Sequence, residues 1–159
     1  VGYNFLNHML KILSKHSRID LKIRAEGDLR HHIIEDVGIA LGEGLKNAIG
    51  KKIGIQRFGF SLIPMDDALA RCSIDLSGRS YHVIELNCKG NQIEDIQLED
   101  LIHFIETFTN AAEINLHLHV LYGVNEHHKV EAAFKALAKS LQEGIKIVSK
   151  DLPSTKGVL

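Results

Sequence analysis

The 159-residue sequence has no tryptophan and only two cysteines, Cys72 and Cys88, which form no metal-ligating or redox spacing. Without a cysteine framework, a reduced compartment is the expectation, the cytoplasm or, in a plant, the plastid. No apolar run approaches membrane-spanning length, and no signal-peptide pattern opens the chain. Charge of one sign is not in excess either: 19 Lys and Arg face 20 Asp and Glu. A net charge of -1 with histidines neutral gives no broad field to draw nucleic acid or an anionic membrane. What remains is an ordinary globular composition, 45% hydrophobic and 25% charged, in a length that fits one domain with a real core. Val1 to Leu6 run directly into a helical pattern, as in a chain that starts inside a longer protein.

One residue type is abundant. Ten histidines are dispersed along the sequence, which points to metal ligation and not to a tag-like tract.

Apolar residues at Phe5, Leu6, Met9, Leu10 and Leu13 predict a helix over Phe5–Lys15. Ile19–Ala25 alternates apolar and polar residues and predicts a half-buried strand. A helix follows from about His31 to Ile49, with a face of Ile34, Val37, Leu41, Leu45 and Ala48, and Gly50 ends it. Strands are expected near Gln56–Ile63, Ala70–Leu76 and Tyr81–Leu86, with Ser77-Gly78 as a turn. A helix over Leu98–Ala112, a strand over Ile114–Leu121 and a helix over His127–Val148 complete the pattern, before an irregular tail from Leu152.

This order contains an internal repeat. His8 precedes His31-His32 by 23 residues, and His103 precedes His127-His128 by 24. Ile19-Asp-Leu-Lys-Ile lines up with Ile114-Asn-Leu-His-Leu, and HHIIED with HHKVEA, both opening long amphipathic helices. The expected class is α+β, one domain over 1–159 made of two related halves, about 1–53 and 54–159, each a β-sheet backed by helices on one face.

His31 and Glu35 are four apart at a helix start, as are His127 and Glu131, so each pair shares one helix face within reach of one cation. His32 and His128 point about 100° away, so each His-His pair can serve two metals. With His8 and His103 the set becomes six imidazoles and two carboxylates, which divide into two sites of three His and one Glu. Such donors, with positions left open, suit Mn, Fe or Zn better than Ca or Mg. A single His-His pair at a helix start is ordinarily a solvated or capping feature; its recurrence with Glu at the matching place in the repeat favours ligation. His8 and His103 individually also fit a hydrogen-bonded core histidine. His117 and His119 share one strand face and read as structural or interfacial, and His16 and His82 as surface residues.

Arg57 and Arg79 sit at glycine-flanked turns, where a guanidinium fork can meet phosphate oxygens. Ser154, Thr155, Lys156 and Gly157 offer hydroxyls, a cation and free amides, a plausible anion site, although a frayed terminus has the same composition. Lys135 lies two turns beyond His127 and can reach the same ligand.

FLNHMLKILSKH, HHIIEDVGIALG, QRFGFSLIPMDDALAR, DLSGR, HHKVEAAFKALAKSL and PSTKGVL, in order through nearly the whole chain, resemble the imidazoleglycerol-phosphate dehydratases. The resemblance implies metal ligation by His8, His31, His32, Glu35, His103, His127, His128 and Glu131, with Glu35, Glu131, His32 and His128 also catalytic. It implies two manganese ions per active site and no organic cofactor. The substrate phosphate would meet Arg57, Arg79, Lys135, Ser154, Thr155 and Lys156. A 24-subunit assembly with active sites between subunits is implied as well. The reaction removes water from imidazole-glycerol phosphate to give imidazole-acetol phosphate. The departing proton lies beside no carbonyl, so metals on the ring nitrogens, holding the ring as imidazolate, would supply the electrons that expel the hydroxyl.

Three departures from the family pattern stand out. The strand region expected ahead of FLNHML, with an acidic residue, is not in this sequence, and a missing first strand would expose a sheet edge. Asn7 stands where many members carry Asp, and the approach to His31 is short. Two other readings fit the same residues: a different dinuclear metalloenzyme acting on a phosphate ester, and a non-catalytic protein whose metals clamp an assembly.

Overall fold

Four helices carry the repeat in the computed structural model, which describes residues 1–159: α1 Asn4–Ser17, α2 Arg30–Ile49, α3 Leu98–Ala112 and α4 Glu126–Gly144. The strands are β1 Phe58–Met65, β2 Ala68–Asp75, β3 Tyr81–Glu85, β4 Gln92–Ile93, β5 Ile96–Gln97 and β6 Asn115–Tyr122. Four of them form one sheet in the order β1-β2-β6-β3, and β4 pairs only with β5. The β1–β2 and β2–β6 pairs are antiparallel, whereas β3 and β6 run parallel. The α+β class therefore holds, with every strand in the second half. No helix is long and apolar enough to cross a membrane.

The first half supplies helices but no sheet. Ile19–Ala25 keeps the expected alternation of half-buried and exposed residues, yet it pairs with no strand. Alternation sets which side chains turn inward; a ladder also needs a neighbouring backbone to bond. The first two strands begin elsewhere than expected for a related reason. Gln56 and Arg57 donate their amides to the carbonyls of Lys146 and Gly144 (2.8 and 2.9 Å), so β1 starts only at Phe58. The same bonds, with an Ile55–Ile147 bridge, end α4 at Gly144, short of the expected Val148. Ala48, expected on the inner face of α2, is exposed. The β4–β5 hairpin has no alternating run long enough to announce it.

The helices exchange partners between halves: α1 packs on α4, and α2 on α3. Phe104 of α3 and Phe134 of α4 stack at 6.1 Å in the centre, both fully buried. Leu6, Met9, Ile34 and Leu137 belong to the same core, which extends to the inner sheet residues Ala70, Cys72, Leu116 and Leu118. Burial pushes the Cys72 and Cys88 thiols up to about 12, and neither belongs to a cluster of metal-ligating side chains.

Small residues let α4 lie close against β1. Ser61 Oγ donates to the Ala136 carbonyl at 2.7 Å, and Ser140 Oγ donates to the Cys72 carbonyl at 3.0 Å. A Cβ on Gly59 would stand 1.9 Å from the Ser140 carbonyl oxygen, which is backbone and cannot swing aside. Gly59→Ala is accordingly expected to destabilise the fold by about 3 kcal/mol through overpacking. Thermal unfolding should show a Tm lowered by roughly 5–10 °C; an unchanged Tm would mean that α4 moves off the sheet freely.

Candidate metal centre

The exchange of helix partners builds two small clusters. His8, from α1, meets His127 and Glu131 of α4; His103, from α3, meets His31 and Glu35 of α2. Each cluster thus combines the first helix of one half with the second helix of the other, and the two are repeat-related residue for residue. In the first, Glu131 Oε2 lies 3.4 Å from His8 Nε2 and 3.3 Å from His127 Nε2. In the second, Glu35 Oε1 lies 3.4 Å from His103 Nε2, and the His31 and His103 rings stack at 4.7 Å.

Two imidazole nitrogens and one carboxylate oxygen form a donor set suited to a divalent transition metal. The fit is supported by His103 Nε2, which is buried without a hydrogen-bond partner while facing Glu35. An unpartnered buried nitrogen is costly unless it has a further role, and metal ligation is one. Glu131 is also prepared as an anion. Burial alone would raise its pKa, but Lys135 Nζ at 2.7 Å from Oε1 and His8 outweigh that and hold it below the ordinary range.

Three carboxylates that the sequence did not single out fix the imidazoles. Asp100, buried, lies 3.0 Å from His31 Nδ1 and 2.8 Å from Arg30 Nε. Glu94 lies 3.1 Å from His127 Nδ1, and Asp67 2.6 Å from His128 Nδ1. In each case Nδ1 faces a carboxylate, which leaves Nε2 for another partner (Glu131 for His127, Asp66 for His128), the usual way in which a ligating histidine is oriented. Asp67 also accepts the Asn125 amide at 2.9 Å, which ties the β1–β2 turn to the start of α4. There the Asn125 side chain caps the helix by accepting the His128 amide. These contacts join residues 33 to 69 positions apart, so no spacing rule could have found them.

His32 and His128 join neither cluster. His32 is exposed, 3.9 Å from Asp28, and His128 faces Asp67 and Asp66. The two expected sites of three His and one Glu therefore appear within one protomer as two His and one Glu each. The side chains expected to take phosphate also separate. Arg57 lies on Asp75 (2.7 and 3.1 Å) and donates to the Pro153 carbonyl at 2.8 Å, which anchors the tail. Ser154 Oγ donates to the Val158 carbonyl, and Thr155, Lys156 and Arg79 are exposed. Lys135 stands instead at the metal cluster, on Glu131 and Met65. Of the remaining histidines, His82 is half-buried and faces Glu106, a contact its sequence position did not indicate, and His119 lies near Glu85 and Arg71.

Comparison with known proteins identifies the family. A family model described as imidazoleglycerol-phosphate dehydratase matches residues 1–141. An imidazoleglycerol-phosphate dehydratase of Chloroherpeton thalassium is 47% identical over 99% of this chain and 83% of its own length. One of Listeria innocua is 48% identical over 99% and 84%. Among solved structures, that from Pyrococcus furiosus superposes with a TM-score of 0.88 at 40% identity, covering 98% of this chain and 86% of the other. The Staphylococcus aureus structure gives 0.87 at 35% identity, covering 92% and 85%. With the paired clusters placed where the repeat puts them, the chain belongs to the imidazoleglycerol-phosphate dehydratase family.

Proposed function

We propose that the chain is a hydro-lyase that dehydrates imidazole-glycerol phosphate to imidazole-acetol phosphate in histidine biosynthesis, with two manganese ions per active site, in the cytoplasm. The observation that carries this reading is the pair of repeat-related His-His-Glu clusters in a chain of this family. One would be held by His8, His127 and Glu131, and the other by His31, Glu35 and His103, with His32 and His128 completing sites on neighbouring copies. When bound, the metals supply Lewis acidity toward the substrate imidazole. Lys135, 2.7 Å from Glu131, keeps that carboxylate charged and brings an ammonium to the rim of the cluster. Arg57, Arg79 and the Ser154–Lys156 tail would hold the phosphate, fixing the carbon chain relative to the ring.

The distances support an active site shared between subunits. Arg57 binds the last carbonyl of α4, at Gly144, whereas His128 is at its start; at 1.5 Å per residue the two ends are about 24 Å apart. One small substrate cannot span that gap, so the metal end of one protomer would work with the phosphate end of another, as a closed assembly of 24 subunits permits. The test is turnover of imidazole-glycerol phosphate by the manganese-loaded protein, followed by NMR of the ketone product. Turnover should vanish on chelation and return with manganese. Fully loaded, assembled protein without turnover would favour the metal-clamped, non-catalytic reading.

A further inference from the structure

Two polar groups at the phosphate end lack partners. Lys52 is 8% exposed, yet its ammonium has no hydrogen bond or ion pair. Ser77 is 7% exposed, and its Oγ is buried with no partner. They flank one turn: a Cβ built on Gly78 would lie 3.2 Å from Lys52 Nζ. Gly78 has φ +78°, a conformation that suits glycine, and the same Cβ would meet the Leu159 carbonyl carbon at 3.0 Å. The turn continues into Arg79, and Leu76, just before it, bonds the Arg57 carbonyl at 3.2 Å. Lys52, Ser77, Arg57, Arg79 and the tail therefore share one corner of the protein.

Two carboxylates act on that corner and both are already engaged, Glu113 by Lys46 and Asp75 by Arg57. A buried hydroxyl left unpaired is costly, and the Lys52 ammonium beside it has no protein partner, so an anion oxygen would serve both. Burial lowers the Lys52 pKa; Glu113 and Asp75 act the other way, and Lys46 and Arg57 lower it further, as expected where an anionic partner is wanting.

We propose that Lys52 and Ser77 are further binding residues for the substrate phosphate, receiving its oxygens against the Gly78 turn beside Arg57 and Arg79. The inference rests on the reading of this corner as the phosphate end. Hydrogen bonds to charged groups of this kind are worth about tenfold or more in affinity each.

The experiment measures inhibition of the manganese-loaded enzyme by inorganic phosphate and by free 1,2,4-triazole, which lacks a phosphate, in Lys52→Met, Lys52→Arg, Ser77→Ala and Arg79→Ala. Lys52→Met should raise the phosphate Ki and the substrate KM about tenfold or more and leave the triazole Ki unchanged. Lys52→Arg should restore most of the loss, and Ser77→Ala should show a smaller effect of the same kind. An unchanged phosphate Ki in Lys52→Met and Ser77→Ala, with a raised one in Arg79→Ala, overturns the inference and leaves the phosphate end in place. An unchanged Ki in all of them overturns both. If Lys52→Met does not fold, Ser77→Ala decides: a selective rise in the phosphate Ki supports the site, and none refutes it.

Discussion

Replacing Glu131 or Glu35 by glutamine should each lower kcat by about a thousandfold or more, with the protomer still folded. In metal sites generally, loss of a group that only orients a ligand costs about 10- to 100-fold in affinity or activity. Glu131 and Glu35 stand one step closer, as the only carboxylates in their clusters. Glutamine keeps the shape and one oxygen donor but removes the negative charge that offsets the cation. In Glu131→Gln the neighbouring Lys135 ammonium also loses its 2.7 Å partner and becomes a repulsive charge beside the metal. Removal of the less coupled Glu35 leaves no such cation, so its metal affinity should fall by less. The measurement is manganese stoichiometry by titration together with kcat. Loss at one cluster should leave the other loaded, and the double variant should be little worse than either single one, because the two ions act as a unit. Full manganese loading and near-normal kcat in Glu131→Gln would remove the first cluster from the chemistry.

Much of this site was legible in the sequence because the signal was doubled. His31 with Glu35 is weak evidence alone, but the same spacing at His127 and Glu131, each preceded by a histidine at a nearly constant interval, marks one constraint imposed twice. Helical periodicity served equally well, since Leu98–Ala112 is helical from end to end. What stayed hidden depends on contacts between distant segments. Ile19–Ala25 has the pattern of a strand without a neighbour to bond. The end of α4 is set by Gln56 and Arg57, some 90 residues earlier. Which histidine meets which half could not be read either, because helical geometry says only that His31 and His32 diverge. It is the packing of α1 on α4 and of α2 on α3 that delivers His8 to Glu131 and His103 to Glu35. Asp67, Glu94 and Asp100, which orient three imidazoles, belong to the same class of long-range contact.

Chelation of the metals should collapse the assembly to small oligomers, and His32→Ala or His128→Ala should block its formation even with manganese present. Adjacent residues on a helix diverge by about 100°, so His32 cannot turn to the cluster that holds His31, nor His128 to the one that holds His127. Asp67 holds His128 Nδ1 and Asp66 lies 3.6 Å from its Nε2, outside the cluster of His8, His127 and Glu131, while His32 is exposed. Each protomer therefore has two clusters one imidazole short of the four-donor set, and two imidazoles presented at its surface. Mutual completion between copies would turn each metal into a subunit contact, and its binding free energy would then stabilise the assembly by mass action. Losing one ligand type breaks every equivalent contact of a symmetric assembly at once, so the size change should be abrupt. Sedimentation velocity would read it directly, with circular dichroism confirming that the protomer keeps its helices. Re-addition of manganese should rebuild the large species from chelated wild type but not from His32→Ala or His128→Ala. A chelated protein that keeps its full mass, with both variants assembling normally, would place all the ligands within one protomer and require His32 and His128 to swing inward.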